Sequence, residues 1–258
     1  MSDWTGAPWK TDYPRMNGTP PQAAAVIVAA GSSTRMAAAG VTGRKPSLEL
    51  NGVSILEHTL RAFNAAARVS EIIIVTHADD VDAIQQLAAI NPAFEKVRAV
   101  VEGGEQRADS VRLGVFWCNF DVDVIAVHDA ARPLIESETI DATIIRAAET
   151  GAALVALAVR DTIKRTAADE TFVESTLDRS RLFAAQTPQA FRASTFRKLI
   201  ERAKLEQFRP TDDSALWEHF EGSVAVVAGS PTNFKITTPE DLELAEALLA
   251  NRREQKQS

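Results

Sequence analysis

The chain has 258 residues, of which 45% are hydrophobic and 24% are charged, and its formal net charge is −7. These values predict one soluble domain with a sizeable core, and they argue against a general nucleic-acid-binding protein, whose footprint would be a basic face. A single cysteine, Cys118, excludes an intramolecular disulfide and a cysteine metal cluster, and we interpret it as core packing. No apolar run approaches the ~20 residues of a membrane span and no signal-peptide pattern is found, so we expect a cytoplasmic protein without membrane contact.

The two ends of the chain differ in composition from the middle. Residues 1–22 contain prolines and glycines without periodicity and predict a flexible leader. Residues 24–30 are continuously apolar, as expected of a parallel strand covered on both faces. Residues 251–258 are polar and predict a flexible tail, so the folded domain is expected to span residues 23–250.

Helix and strand signals alternate along this domain. The helix predicted at 54–67 is the clearest, because Ser54 and Glu57 have the spacing of a capping box. Its apolar stripe comprises Leu56, Leu60, Phe63 and Ala67. Further strands are predicted at 71–76, 97–101, 123–127, 152–159 and 224–227, and further helices at 79–90, from about 109, at 138–149 and from 238. This order predicts an α/β fold, a Rossmann-like three-layer sandwich with a mostly parallel sheet and helices on both faces.

Residues 160–185 interrupt this alternation. Thr162, Ile163 and Val173 belong to a set of strand formers flanked by charges, which predicts a protruding β-arm. A hairpin with apolar residues needs something to cover it, and a second copy of the chain would do so. We therefore expect a two-fold homodimer assembled through the arm.

A turn of small residues follows the first strand. Gly31 and the three residues after it would let backbone amides approach phosphate oxygens, and the guanidinium of Arg35 matches phosphate geometry. The turn lacks the spaced glycines of a dinucleotide-binding fingerprint and the Lys-Ser/Thr pair of a P-loop. A strand, a glycine turn and a basic residue also occur in α/β proteins without a ligand, so the turn alone leaves both interpretations open.

A second polar cluster, HDAARP at 128–133, follows the strand predicted at 123–127. Ligands of open α/β sheets bind beyond the carboxyl ends of the strands, so Asp129 and Arg132 are expected at the same edge as Gly31. Asp129 suits Mg²⁺, which prefers a carboxylate together with substrate phosphates, and Arg132 suits an anion. The alternatives are an ordinary Asp-Arg ion pair and, for His128, a general base or, more often, a local hydrogen bond.

Further motifs occur in a fixed order: AAGSSTRM at 29–36, GRKPSLELNGVSILEHT at 43–59, GGEQRADSV at 103–111, HDAARP at 128–133, VRDTIKR at 159–165, LDRSRLFAAQTPQ at 177–189, TDDSAL at 211–216 and NFKITTPEDL at 233–242. Together they resemble the 2-C-methyl-D-erythritol 4-phosphate cytidylyltransferase family over nearly all of residues 24–250. The resemblance implies a transferase of the non-mevalonate isoprenoid pathway that uses CTP, methylerythritol phosphate and Mg²⁺ and works as a homodimer.

The resemblance also implies roles for individual residues. On the CTP side they are the binding residues Ala29, Ala30, Gly31, Gly104, Glu105 and Ser110, with Arg35 and Lys45 as the catalytic cations. On the acceptor side they are the metal ligand Asp129, the phosphate contacts Arg132, Thr211 and Lys235, and Thr162 and Arg179 from the partner subunit's arm. Arg44 stands where the family has a proline, so it competes with Lys45 for the role of second cation.

The chemistry expected of such an enzyme needs no nucleophilic side chain. A phosphate monoester is largely dianionic at neutral pH, so its oxygen can attack the α-phosphorus of CTP directly while fixed cations and Mg²⁺ stabilise the added charge. Two alternatives remain: a pentitol-phosphate cytidylyltransferase, which would keep the CTP half of the site, and a nucleotide-binding module with impaired catalysis. RADSV and HDAARP favour the methylerythritol phosphate enzyme.

Overall fold

The computed structural model describes residues 19–31, 44–91, 94–168 and 171–257, without the side chains of Lys45 and of residues 253–257. Arg35 and the aromatic residues of the predicted leader lie outside the described residues. The predicted leader overlaps the described chain at residues 19–22, where Pro21 is buried and the backbone N–H of Gln22 donates to Asp123 Oδ2 at 2.9 Å.

One seven-stranded sheet forms the centre of the domain. Its strands are β1 (Ala23–Val28), β4 (Val69–Thr76), β5 (Val97–Glu102), β6 (Val124–Asp129), β7 (Ala152–Ala158), β10 (Phe183–Arg192) and β11 (Ala225–Ala228). Two hairpins lie apart from it: β2 (Glu49–Leu50) with β3 (Val53–Ser54), and β8 (Lys164–Thr166) with β9 (Val173–Thr176). The helices are α1 (Ile55–Ala65), α2 (Val81–Ile90), α3 (Arg107–Trp117), α4 (Ser137–Thr150), α5 (Ala193–Leu205), α6 (Asp213–Phe220) and α7 (Pro239–Gln257).

The strand order is β11-β7-β10-β6-β1-β4-β5, and β10 alone among these strands runs antiparallel to its neighbours. Because β1 alternates its apolar side chains between the two faces, each face carries its own core. Ala25 and Ile27 pack with α1, α2 and α4, whereas Ala24 and Val26 pack with α3, α5 and α6. The predicted fold class, a mostly parallel three-layer α/β sandwich, is confirmed.

Helix α1 begins where the capping box predicted. Ser54 is the N-cap, and its side chain accepts a hydrogen bond from the backbone N–H of Glu57 at 3.1 Å. The buried stripe includes Leu56, Leu60 and Phe63 as predicted, but the helix ends at Ala65. Ala67 is therefore exposed rather than part of the stripe, and Ala66 is buried in its place.

The remaining predicted elements are present with shifts at their ends, and five labelled elements were not predicted from the sequence. These are strands β2, β3 and β10 and helices α5 and α6. The last helix, α7, begins at Pro239 as predicted but continues to Gln257, beyond the predicted end of the domain at residue 250. Its apolar residues pack with Leu50 of β2 in a third small core that also includes Ile236 and Ala245.

The predicted arm corresponds to the hairpin of β8 and β9, whose residues are exposed apart from half-buried Ser175. Its tip leaves large apolar side chains uncovered, with Phe172 72% and Val173 59% exposed. The segment ends where β10 begins at Phe183, so residues 183–185 pair with β7 instead of extending the arm.

Two observations complete the description. Cys118 follows α3, is 2% exposed, and burial raises the pKa of its thiol to about 12, which agrees with its prediction as core packing. Within the described ranges, every helix is too short or too polar to cross a lipid bilayer.

Candidate active site

The loops after β1, β4, β5 and β6 meet at the carboxyl edge of the sheet and, with Pro46 and Lys235, line a cavity of about 550 Å³. Parallel pairing places Val28 opposite both Val75 and Asp129, so β1, β4 and β6 end side by side. The loop after β1 is fixed between its neighbours, because Ala29 N–H donates to Val75 O at 2.7 Å and Ala130 N–H donates to Val28 O at 3.0 Å. Eight of the predicted site residues line this cavity: Ala29, Ala30, Gly31, Gly104, Glu105, Ser110, Asp129 and Lys235.

The two glycines after β5 allow the loops to approach closely. A Cβ on Gly103 would lie 2.5 Å from Ala30 Cβ, and a Cβ on Gly104 would lie 2.3 Å from Asp109 Cβ. The N–H of Gly104 donates to Ser110 Oγ at 3.1 Å, which ties this loop to the first turn of α3. Glycine at both positions is thus required by packing.

Asp129, the last residue of β6, is the anion at the centre of the site. Its Oδ1 accepts a hydrogen bond from Arg107 Nε at 3.1 Å, and its Oδ2 accepts one from Lys235 Nζ at 2.8 Å. Arg132 Nε lies 4.0 Å from the same Oδ2. Burial alone would raise the pKa of Asp129, but Arg107, Lys235 and Arg132 outweigh it and hold that pKa well below its usual range, so the carboxylate is ionised.

Arg132 lies largely buried beside this carboxylate. One of its terminal nitrogens, Nη1, donates to the carbonyl of Asn233 at 2.9 Å, and this bond joins the loop after β6 to the segment that carries Lys235. Its buried Nε has no hydrogen-bond partner. A buried guanidinium with donor capacity to spare is suited to an anionic ligand.

His128 is enclosed within the sheet and has a local role. Its Nε2 lies 3.2 Å from the carbonyl of Arg132, so this nitrogen donates, and Nδ1 accepts from Thr187 Oγ1 at 3.0 Å. Thr187 Oγ1 in turn accepts from the backbone N–H of Asp129 at 3.1 Å. Burial lowers the pKa of His128 to about 3, and the ring is therefore neutral. These contacts correspond to the local hydrogen bonding that the sequence favoured over a general base.

Arg44 and Lys45 differ in their surroundings. The guanidinium of Arg44 is held by two carboxylates, with 2.6 Å to Asp79 Oδ2 and 2.9 Å to Asp80 Oδ1. Lys45 begins a short 3₁₀ turn at 45–47, and the next residue, Pro46, lines the cavity. Arg44 is thus directed toward the loop after β4, while the backbone at Lys45 adjoins the cavity.

Four predicted acceptor residues, Arg132, Thr162, Arg179 and Thr211, do not line the cavity of this single chain. Thr162 and Arg179 are exposed on the arm segment, where Arg179 Nη1 donates to the carbonyl of Arg160. Thr211 is exposed just before α6. For Thr162 and Arg179, this placement leaves open the predicted contact with a partner's site.

The structure adds residues that sequence reasoning missed. Arg107 and His77 both line the cavity. Arg107 lies within the quoted motif GGEQRADSV, but no local pattern indicates that its partners are Asp129 and the buried Asp213, 22 and 106 positions away. One signal was available in the sequence. Arg107 lies in the first turn of a helix, where the helix dipole disfavours a cation, and such a residue is expected to have an anionic partner elsewhere in the chain.

This arrangement defines a Rossmann-like α/β fold with a cavity of about 550 Å³ at the carboxyl edge of its sheet, lined by glycines and by charged side chains of both signs. Residues 23–251 match the family model of IspD, 2-C-methyl-D-erythritol 4-phosphate cytidylyltransferase. Relatives with that enzyme name from Acidobacterium capsulatum and Pelotomaculum thermopropionicum are 42% and 40% identical to the chain. The matches cover 88% and 89% of this chain and 97% and 94% of theirs.

Solved structures agree with these relatives. The crystal structure of 4-diphosphocytidyl-2C-methyl-D-erythritol synthase from Anaerococcus prevotii superposes with a TM-score of 0.78 at 31% identity, over 90% of this chain and 97% of that one. The cytidylyltransferase from Thermus thermophilus gives a TM-score of 0.70 at 29% identity, over 88% and 98% of the two chains. The chain belongs to the 2-C-methyl-D-erythritol 4-phosphate cytidylyltransferase family and is a nucleotidyltransferase of isoprenoid biosynthesis.

Proposed function

We propose that this enzyme transfers the cytidylyl group of CTP to 2-C-methyl-D-erythritol 4-phosphate, giving 4-diphosphocytidyl-2-C-methyl-D-erythritol and pyrophosphate. Membership of the family supports the reaction. The single observation that carries the site is the cavity in which Ala29 to Gly31, Gly104 and Ser110 face Asp129 and Lys235. We assign the first set to CTP and the second to the reacting phosphates.

Asp129 is the residue suited to hold Mg²⁺. Its carboxylate is ionised and lines the cavity, and hard oxygen ligands are those that Mg²⁺ prefers. When bound, Mg²⁺ would supply charge neutralisation at the triphosphate.

The chain's own residues would act by binding and orientation. The phosphate oxygen of methylerythritol phosphate attacks the α-phosphorus of CTP, the bond to the β-phosphate oxygen breaks, and pyrophosphate leaves. Arg35 and Lys45 are our candidates for stabilising the added charge, and Arg132 and Lys235 for holding the acceptor phosphate. Because the phosphate is already ionised, no side chain has to remove a proton.

We further propose a homodimer in the cytoplasm in which the arm of one subunit brings Thr162 and Arg179 to the acceptor site of the other, where Thr211 also contributes. The uncovered Phe172 and Val173 support this assembly, because a second subunit would remove them from water. The cytoplasm is the proposed location because CTP is the substrate.

Release of pyrophosphate tests the proposal. Purified protein is incubated with CTP and Mg²⁺ and with methylerythritol phosphate, a pentitol phosphate or no acceptor. We expect release with methylerythritol phosphate alone. Release with the pentitol phosphate instead would identify the related cytidylyltransferase, and no release with either acceptor would leave a nucleotide-binding module.

A further inference from the structure

Arg107 occupies an electrostatically unfavourable place in the fold. It is the first residue of α3, where the unpaired backbone N–H groups and the helix dipole disfavour a positive charge. A glutamate or aspartate would stabilise this helix end. The cation must therefore be compensated by its partners outside the helix.

Those partners are two buried carboxylates from distant parts of the chain. Arg107 Nε donates to Asp129 Oδ1 at 3.1 Å, and Nη2 donates to Asp213 Oδ2 at 2.8 Å. The side chains of Asp129 and Asp213 are 11% and 7% exposed, so a single guanidinium bridges two desolvated carboxyl groups. Burial raises the pKa of Asp213 even though Arg107 opposes this shift. The planar fork of an arginine can span both, whereas a lysine presents one point charge.

The end of α6 that carries Asp213 is hydrogen-bonded to strand β10 of the sheet. Asp213 begins α6, whose N-cap Asp212 accepts from the backbone N–H of Ala215 at 2.9 Å. The Gln189 side chain of β10 binds this helix end twice: its amide donates to Asp212 Oδ2 at 2.8 Å, and its carbonyl accepts from Ser214 N–H at 2.8 Å. Hydrogen bonds from β10 thus fix the residues on either side of Asp213, and Asp213 in turn accepts from Arg107, which donates to the Asp129 carboxylate.

The two cations on Asp129 differ in how they are anchored. The side chain of Lys235 is 39% exposed, and the hydrogen bond of its ammonium to Asp129 is its one described side-chain contact. Arg107 is bound to a second carboxylate and is 31% exposed. A substrate phosphate or a divalent ion would compete for these groups. We then expect the ammonium of Lys235 to leave Asp129, while Arg107 stays bound to both carboxyl groups.

We propose that Arg107 is a positioning residue that acts through Asp129, fixing the direction in which this carboxylate faces the bound metal and nucleotide. The inference rests on the role proposed above for Asp129. Without Arg107, the Asp129 carboxylate would keep only the hydrogen bond from Lys235 and the 4.0 Å ion pair with Arg132, both at Oδ2, and could turn away from the cavity. Partners of this kind, one step removed from a metal, alter metal affinity or activity by roughly 10- to 100-fold when replaced.

The test measures Mg²⁺-dependent binding of a CTP analogue with a methylene bridge between its α- and β-phosphates, by calorimetry with and without Mg²⁺. Wild type, Arg107→Met, Arg107→Lys and Asp129→Asn are compared. Arg61→Met is the matched control, because Arg61 pairs with Glu57 at 2.6 Å on the exposed side of α1. Circular dichroism and thermal midpoints establish that each variant is folded.

We expect Mg²⁺ to strengthen analogue binding in wild type and Arg61→Met. This enhancement should be lost in Asp129→Asn and fall by tenfold or more in both Arg107 variants, with kcat reduced roughly 10- to 100-fold. If Arg107→Met does not fold, Arg107→Lys decides, since it keeps a cation at this position but lacks the planar fork that holds both carboxylates in a fixed geometry. If the Arg107 variants have a lower thermal midpoint but the same Mg²⁺-dependent gain in analogue binding as wild type, the contacts of Arg107 with Asp129 and Asp213 only stabilise the fold. That result would overturn the inference.

The controls separate this inference from the proposed site. An enhancement lost in Asp129→Asn but retained in both Arg107 variants contradicts only the role of Arg107. An enhancement that is the same in wild type and Asp129→Asn removes the metal from Asp129 and overturns both proposals.

Discussion

At the scale of single residues, the site separates cations that are already paired from those available to substrates. Arg44 is bound to Asp79 and Asp80 at the end of β4. Arg107 is bound to Asp129 and Asp213. Guanidinium groups held in this way organise their surroundings, and the role of second catalytic cation is better suited to Lys45, next to the cavity-lining Pro46.

We predict that Lys45→Ala lowers kcat by roughly 10²- to 10³-fold with a much smaller change in CTP affinity, as for other fixed charges that act mainly in the transition state. Steady-state kinetics and calorimetric CTP binding provide the two readouts. Arg44→Met is the matched control, and we expect its kcat to remain within a few-fold of wild type. A large loss of kcat in Arg44→Met with little in Lys45→Ala would reverse the assignment.

At the scale of elements, the close approach of α3 to the sheet depends on Gly114. A Cβ at this position would lie 2.5 Å from Val26 Cγ1 and 2.7 Å from Val75 Cγ2, on two central strands. Arg107 and Ser110 belong to the same helix, so this packing also determines how far they lie from the strand ends.

We predict that Gly114→Ala lowers the free energy of unfolding by roughly 1–2 kcal/mol, because overpacking against β1 and β4 exceeds the gain in helix propensity. Urea unfolding followed by circular dichroism measures the change. Phe116→Ala on the same helix is the control, since Phe116 is 77% exposed and its loss should alter stability by less than about 0.5 kcal/mol. An unchanged or higher stability of Gly114→Ala would contradict the prediction, because it would mean that β1 and β4 accommodate the added methyl group without loss of free energy.

Elements with a local signal could be predicted from the sequence, and those that depend on distant partners could not. The apolar run of β1 and the cap of α1 need only neighbouring residues. Strand β10 was missed because glutamine, threonine and proline interrupt its pattern, and its pairing with β7 shifts register between Ala185 and Gln189. Helix α5 was predictable, since Phe196, Leu199, Ile200 and Ala203 have helical spacing.

The same distinction applies to the site. Gly31 lies in the loop after β1, Asp129 ends β6 and Ser110 lies in the first turn of α3, so their meeting at one edge follows from the fold class. The pairing of Arg107 with Asp213 joins residues 106 positions apart and depends on where α6 packs. Thr162 and Arg179 remain predictions, because one chain does not bring them to its own cavity.

At the scale of the whole molecule, the dimer can be tested by mixing subunits. Asp129→Asn disables one subunit's own site, and Arg179→Ala disables the arm that it gives away. A mixed dimer would then hold one intact site, with Asp129 from one subunit and Arg179 from the other. We predict that random reassociation of the two variants restores about a quarter of wild-type activity, given two-fold symmetry.

The mixing experiment would give a different result if the arm served its own subunit. If Arg179 served its own subunit, every site in the mixture would carry one of the two substitutions and activity would stay at the level of the variants. Light scattering measures the mass of the particle in the same samples, and a monomer with full activity would contradict the proposed assembly.

The seclusion of Cys118 offers a practical route to following this assembly. Its thiol is enclosed and weakly acidic, so alkylating probes would pass over it in the folded protein. A cysteine introduced at the exposed Glu174 would consequently be the sole site for a spin label or dye, without any need to remove the natural one. Pairs of such labels, one on each subunit, would report the distance between the two arms in solution.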